Sequence, residues 1–174
     1  MESEIRSFIN TSNGSRLINI FGYTSRGIPG FEVHGLGKHN KEIKEKLIYL
    51  TRLRKIRVPP RRVVINIDTG EYELKSTDKN ILWLDYPILL LYWYLIGILP
   101  IKQLNDCIAI GKVSVQGEIE HGLIPNDLLK SLGCQFNPVE MRQLKLIGAK
   151  KINCGLWNID SKLLLEHIPQ LSFK

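Results

Sequence analysis

Residues 81 to 99 read ILWLDYPILLLYWYLIGIL, and the fold turns on whether this stretch crosses a membrane or fills a core. Nineteen mainly apolar residues would reach across a bilayer as one continuous helix. Asp85 would place a charge inside that span, and Pro87 suits the first turn of a helix that begins near Asp85. What remains is a helix of about 12 residues, the length of a buried core element. The stretch therefore predicts core packing and no membrane insertion.

On the N-terminal side, Arg62 to Asp68, RVVINID, alternates in β-branched residues and predicts a strand. Before it, Asn40 can cap a helix whose apolar positions Ile43, Leu47 and Leu50 recur on one stripe, ending ahead of Val58-Pro59-Pro60. Arg16 to Thr24 and Phe31 to Leu36 read as two strands joined by the turn at residues 25 to 30, an opening hairpin. Residues 69 to 80 are polar and read as a loop.

On the C-terminal side, Ile108 to Val115 predicts a strand, and PNDLLKSLG at 125 to 133 a short helix between proline and glycine. Asn137-Pro138 starts another helix, with Met141, Leu144 and Ile147 on one face and Gly148 at its end. Lys151 to Cys154 reads as a short strand, and Asp160 caps a closing helix through Ile168. Strands first, then alternating helices and strands, predict one α/β (α+β) domain over 16–174 behind an N-terminal tail of residues 1–15.

The size and composition agree with a single core: 174 residues, 44% apolar and 24% charged. The start, MESEIRSFINTSNGS, has two early acids and no apolar run behind a basic segment, unlike a secretory signal or a mitochondrial presequence. Cys107, Cys134 and Cys154 are odd in number and fit neither a zinc pair nor a disulfide framework. They predict reduced, mostly buried thiols in a cytoplasmic protein.

The net charge of +7 is concentrated. From Lys38 to Arg62 there are ten basic residues and only two acids, Glu42 and Glu45, a balance of +8. The rest of the chain carries fourteen basic and fifteen acidic residues. Such a segment is either a footprint for phosphates, whose neutralisation releases counterions, or a solvated surface that keeps the protein dispersed.

Other chemistry is excluded by spacing. Gly70-Glu71-Tyr72-Glu73-Leu74-Lys75-Ser76 imitates a nucleotide-phosphate loop but lacks its second glycine, and its two glutamates would repel a triphosphate. Gly35-Leu36-Gly37-Lys38 suits a tight strand-to-helix turn better than a phosphate cradle. His34 and His39 have no CxxC or HExxH around them, so no metal is expected. Trp83, Tyr86, Tyr92, Trp93 and Tyr94 read as core and interface packing rather than a base-stacking platform, which would have to face solvent beside the basic segment.

Several strings in order resemble one family. SRGIPGFEVHGL at 25 to 36, VPPRRVVINID at 58 to 68, Asp85-Tyr86-Pro87-Ile88, IGKVSVQGEI at 110 to 119 and CGLWNIDSKLLLEHIPQL at 154 to 171 are similar to the N-terminal domain of ComM/YifB proteins, the magnesium-chelatase-like AAA+ ATPases. The resemblance covers roughly residues 16 to 172 and implies a Lon-protease-like α/β fold, a mixed sheet with packed helices. It further implies a role in DNA processing and recombination, with an AAA+ ATPase as candidate partner.

Lon-type peptidases use a Ser–Lys pair in which a desolvated lysine takes the serine proton. Aligned on the family motifs, those positions hold Trp83 and Ile124, neither of which can do this chemistry. A relocated pair would have to draw on Ser76 or Thr77 with Lys79 or Lys130. The family's K-x-G-P segment is here Lys79-Asn80-Ile81-Leu82, and the D after its G-L-P is replaced by Gly37-Lys38-His39-Asn40, both where a Lon-like site would open, so an inherited small-ligand or peptide pocket is not expected. The expectation is a non-catalytic domain without a cofactor, binding nucleic acid, DNA before RNA, or positioning an ATPase. Lys41, Lys44, Arg52, Arg54, Lys55, Arg57, Arg61 and Arg62 are the expected phosphate contacts. The alternative is a protein-interaction module that packs on itself or a partner, with the charge serving only to solubilise.

Overall fold

The computed structural model describes residues 1–70, 72, 79–150, 156–159 and 161. They form a mixed α/β architecture built on a seven-stranded sheet in the order β3-β4-β2-β1-β5-β8-β9. The strands are β1 (Glu2–Thr11), β2 (Gly14–Ser25), β3 (Gly30–His34), β4 (Arg62–Asp68), β5 (Cys107–Ala109), β8 (Lys145–Ile147) and β9 (Trp157–Ile159). A separate two-stranded ribbon joins β6 (Gly111–Val113) to β7 (Ile119–His121). Helices α1 (His39–Leu53), α2 (Asp85–Leu95), α3 (Asn126–Gln135) and α4 (Pro138–Gln143) complete the order, with a 3-10 turn over Lys79–Leu84.

The register puts one apolar row on one face of the sheet. Ile5 pairs with Ile20 and Ile20 with Ile67, while Ile65 lies beside Val33 and Val63 beside Phe31. All of these are buried and belong to the main core with α1 and α2. Helix α2 is apolar on every side and is enclosed accordingly, packing on β1, β2, β4, β6 and α1. Each fully buried Leu or Ile there contributes about 1.5–3 kcal/mol. Its Tyr92 ring stacks on Phe31 at 4.1 Å. No helix among the described residues is long and apolar enough to cross a membrane. On the other face a second core gathers Phe8, Ile108, Leu128 and Leu132 under α3.

Four sequence expectations are corrected. Residues 1–15 are no tail: β1 pairs with β2 along its whole length and with β5 at Arg6, inside the sheet. The opening hairpin does not form, because β4 lies between β2 and β3, antiparallel to one and parallel to the other. A parallel return needs a crossover, which α1 supplies between β3 and β4. Residues 108 to 115 break at Ile110, whose N–H donates to the Ile147 carbonyl, and divide into β5 and β6. The helix from Asn137 stops at Gln143. Its capping box, with the Asn137 side chain accepting from the Val139 and Glu140 N–H groups, starts only six helical residues. Leu144 follows as extended backbone, and Ile147 belongs to β8, paired with β5.

The expected strand at 151 to 154, the closing helix from Asp160 and the greater part of the 69 to 80 loop lie outside the described residues.

Candidate functional site

Helix α1 carries most of the basic segment. Asn40 does not cap it: the Asn40 side chain accepts from the Leu36 N–H at 2.9 Å, closing the glycine turn, and the N-cap is Lys38, two residues earlier. The residues Ile43, Leu47, Leu50 and Thr51 are buried. At 100° per residue this stripe leaves Lys41 and Arg52 on the opposite side together with Glu45, which pairs with Lys41 at 3.8 Å, while half-buried Lys44 lies on the flank next to Thr51.

The helix ends in a left-handed turn at Lys55, with φ of 55°. The Lys55 N–H donates to the Arg52 carbonyl and the Ile56 N–H to that of Thr51. This is the Schellman closure, with lysine where glycine is usual. It leaves Lys55 exposed, and the connector that follows exposes Arg57 and Arg61 as well.

Two expected phosphate contacts are directed elsewhere. Arg54 turns its guanidinium to the Gly117 carbonyl at 3.5 Å, bracing the turn of the β6–β7 ribbon. Arg62 lies on the sheet face opposite Val63, away from α1, and forms a two-pronged ion pair with Glu32 at 2.8 and 2.9 Å. The Arg62 guanidinium holds the Glu32 carboxyl below its ordinary range. The structure therefore places Lys41 and Arg52 on the outer side of α1 with Lys44 at its flank, continues them into Lys55, Arg57 and Arg61, and separates Arg54 and Arg62.

Sequence reasoning missed three residues of this surface. Tyr49 and Leu53 are 54% and 48% exposed, and Val58 follows in the connector at 40%. The signal was available: Tyr49 and Leu53 are four apart and out of phase with the Ile43, Leu47 and Leu50 stripe.

The positions aligned with the peptidase pair both belong to the second core: Ile124 is buried in it and half-buried Trp83 packs against the cluster. Beside them is a cleft of about 310 Å³ with Phe8, Trp83 and Ile110 as apolar walls and Asn80, His121 and Lys150 at its rim. The Asn80 side chain exchanges two hydrogen bonds with the Asn10 backbone, at 2.9 and 2.8 Å. No Ser, Thr or Tyr among the described residues lines the cleft. Ser76 and Thr77 lie outside the described residues. Lys79 and Lys130 are exposed to water, the reverse of the desolvation a basic lysine needs.

Elsewhere His34 and His39 face Glu32 and Glu42 at 3.4 and 3.2 Å, and no group of three or more metal-ligating side chains occurs among the described residues. Cys107 is buried, and burial together with Asp106 pushes its thiol up to about 12. Cys134 is exposed, contrary to the expectation of buried thiols, because it lies near the end of α3 and off the Leu128 and Leu132 side. Cys154 lies outside the described residues. Tyr86, Tyr92 and Trp93 are buried, while Trp83 and Tyr94 are half-buried.

Compared with protein-family models and with curated proteins, the chain matches none.

Proposed function

We propose that this chain is a non-catalytic, Lon-like domain of the ComM type that works in the cytoplasm on nucleic acid, DNA before RNA. Its contact surface is the outer side of α1 and the connector after it. The reading is carried by one observation: Lys41 and Arg52 share the side of α1 opposite its buried stripe, with Lys44 on its flank, and run on into exposed Lys55, Arg57 and Arg61. Contacts of this kind hold a phosphate backbone without reading bases. Trp83 and Ile124, packed in one apolar core, support the absence of peptidase chemistry. An AAA+ ATPase partner remains part of this proposal through the family resemblance.

The test is binding of a labelled DNA across a salt series. With four phosphates engaged, log K falls against log salt with a slope of roughly −3.6 on a duplex. Reversing Lys41, Lys44 and Arg52 to glutamate abolishes binding, whereas Arg62→Ala changes it by less than about twofold, since Glu32 already holds that guanidinium. No binding at low salt removes the reading.

A second reading, an interaction module, is favoured by the opposite sheet face. There Phe21 and Tyr23 stand 43% and 42% exposed beside a groove of about 760 Å³. A stable oligomer in light scattering, indifferent to added DNA, selects this reading over the first.

A further inference from the structure

We infer that the α1 surface takes single-stranded nucleic acid in preference to duplex, with Tyr49 as the ring on which an unpaired base stacks. The inference rests on the nucleic-acid reading above and adds the class of strand. Tyr49 and Leu53 lie four residues apart on one side of α1, about half exposed, with Arg52 next to Leu53 and Val58 beyond in the connector. They form an apolar strip with Arg52 and the basic connector at its C-terminal end and the exposed acids Glu42 and Glu45 toward its N-terminal end.

A basic side chain one turn away could have shielded the ring. Lys46, three residues before Tyr49, instead reaches inward and donates to the Asp85 carboxylate. The nearest acid in sequence on the helix, Glu45, is engaged by Lys41. The ring therefore stands open beside Arg52.

These two chemistries match a single strand. A duplex turns its phosphates outward and keeps its base faces stacked, so an apolar strip under its backbone strips water from phosphates and returns nothing. A single strand rotates a base onto the ring while its phosphates reach Arg52, Lys55 and Arg57. Stacking of this kind tolerates any base, because every base has a π-face.

The experiment compares a labelled oligothymidylate with a hairpin duplex by fluorescence anisotropy at low salt, using the wild-type chain, Tyr49→Ala and Tyr49→Trp. The wild-type chain binds the single strand at least about 5-fold more tightly than the duplex. Tyr49→Ala loses about 5- to 100-fold on the single strand and less than about twofold on the duplex. Tyr49→Trp keeps the affinity, and its added indole fluorescence is quenched by the oligomer. Equal affinity for both forms, or a Tyr49→Ala variant unchanged on the single strand, overturns the inference and leaves the phosphate surface standing. Binding to neither form removes the nucleic-acid reading itself. Sedimentation with phosphatidylserine vesicles, in the absence of oligothymidylate binding, assigns the strip to a lipid surface and also overturns it.

Discussion

The ammonium of Lys46 donates a hydrogen bond to the carboxylate of Asp85, tying the middle of α1 to the first turn of α2. Asp85 is 1% exposed, and the Val113 backbone also favours its charged form. Burial pushes its carboxyl above the ordinary range, and Lys46 pulls it back only in part. An acid in the middle of the most apolar stretch of the chain thus has a partner from the most basic one.

Removing one member of a buried pair is worse than removing both. Lys46→Met is expected to cost about 3–5 kcal/mol at neutral pH, and Lys46→Met with Asp85→Asn to recover most of that loss. The sign of the pH dependence follows from the raised carboxyl. Between its unfolded and folded pKa values the folded chain holds a proton that the unfolded chain has released, so stability falls as pH rises through that window. In Lys46→Met the window widens upward. Denaturant melts of the variant should show higher stability at about pH 5 than at about pH 7.5, and equal stability at both sinks the prediction.

Asp106 behaves in the opposite way. Burial pushes its carboxyl up, but hydrogen bonds from Lys145 at 2.6 Å, Gln103 at 3.1 Å and Cys107 at 3.4 Å together hold it below the ordinary range. Its contribution is present above the unfolded carboxylate pKa and is lost as pH falls through the folded one. Lys145→Met should move the acid limb of the stability profile to higher pH. A limb that stays in place shows that Gln103 and Cys107 suffice.

Thr51 is fully buried, donating to the Leu47 carbonyl at 2.7 Å and accepting from the Trp93 indole N–H at 3.0 Å. Thr51→Val keeps the shape and orphans the indole donor. The expected loss is about 1–3 kcal/mol, read from the midpoint of urea unfolding. Trp93 emission reports whether the ring has moved.

Gly148 and Gly37 both have left-handed backbone, at φ 76° and 56°, but only one is crowded. A Cβ on Gly148 would lie 2.1 Å from the Ile110 carbonyl oxygen, whereas one on Gly37 meets nothing within 4 Å. Gly37→Ala is expected to cost about 1–2 kcal/mol from backbone conformation alone. Gly148→Ala should cost about 3 kcal/mol or more, since the ladder between β5 and β8 must shift as well. Similar melting temperatures for the two variants contradict this.

The sequence announced an element wherever its composition or its end signals are local. RVVINID is β4 to the residue, and Asp85 opens α2 as its proline and charge require. It concealed β1 because Ser7, fully buried, interrupts the Ile5 and Ile9 side while Phe8 is buried on the other. With both faces partly enclosed, alternation disappears. Helical spacing at Met141, Leu144 and Ile147 misled for a related reason: three apolar residues fit a helix, yet β5 draws the last of them into a parallel ladder. At the candidate surface, charge counting found the segment but not its division. That division was legible in part, since Arg54 is four residues after buried Leu50 and Arg62 alternates with Val63, but their partners Gly117 and Glu32 come from distant parts of the chain.

The place of β1 also sets a timetable for biosynthesis. Its first neighbour, β2, emerges at once, but its second, β5, follows about a hundred residues later. At about 5–20 residues per second a ribosome takes about 5 to 20 s to cover that distance. Through those seconds the outer edge of β1 stays bare, inviting pairing with a stranger. Slowed or stalled translation should therefore show first as misassembled nascent chains.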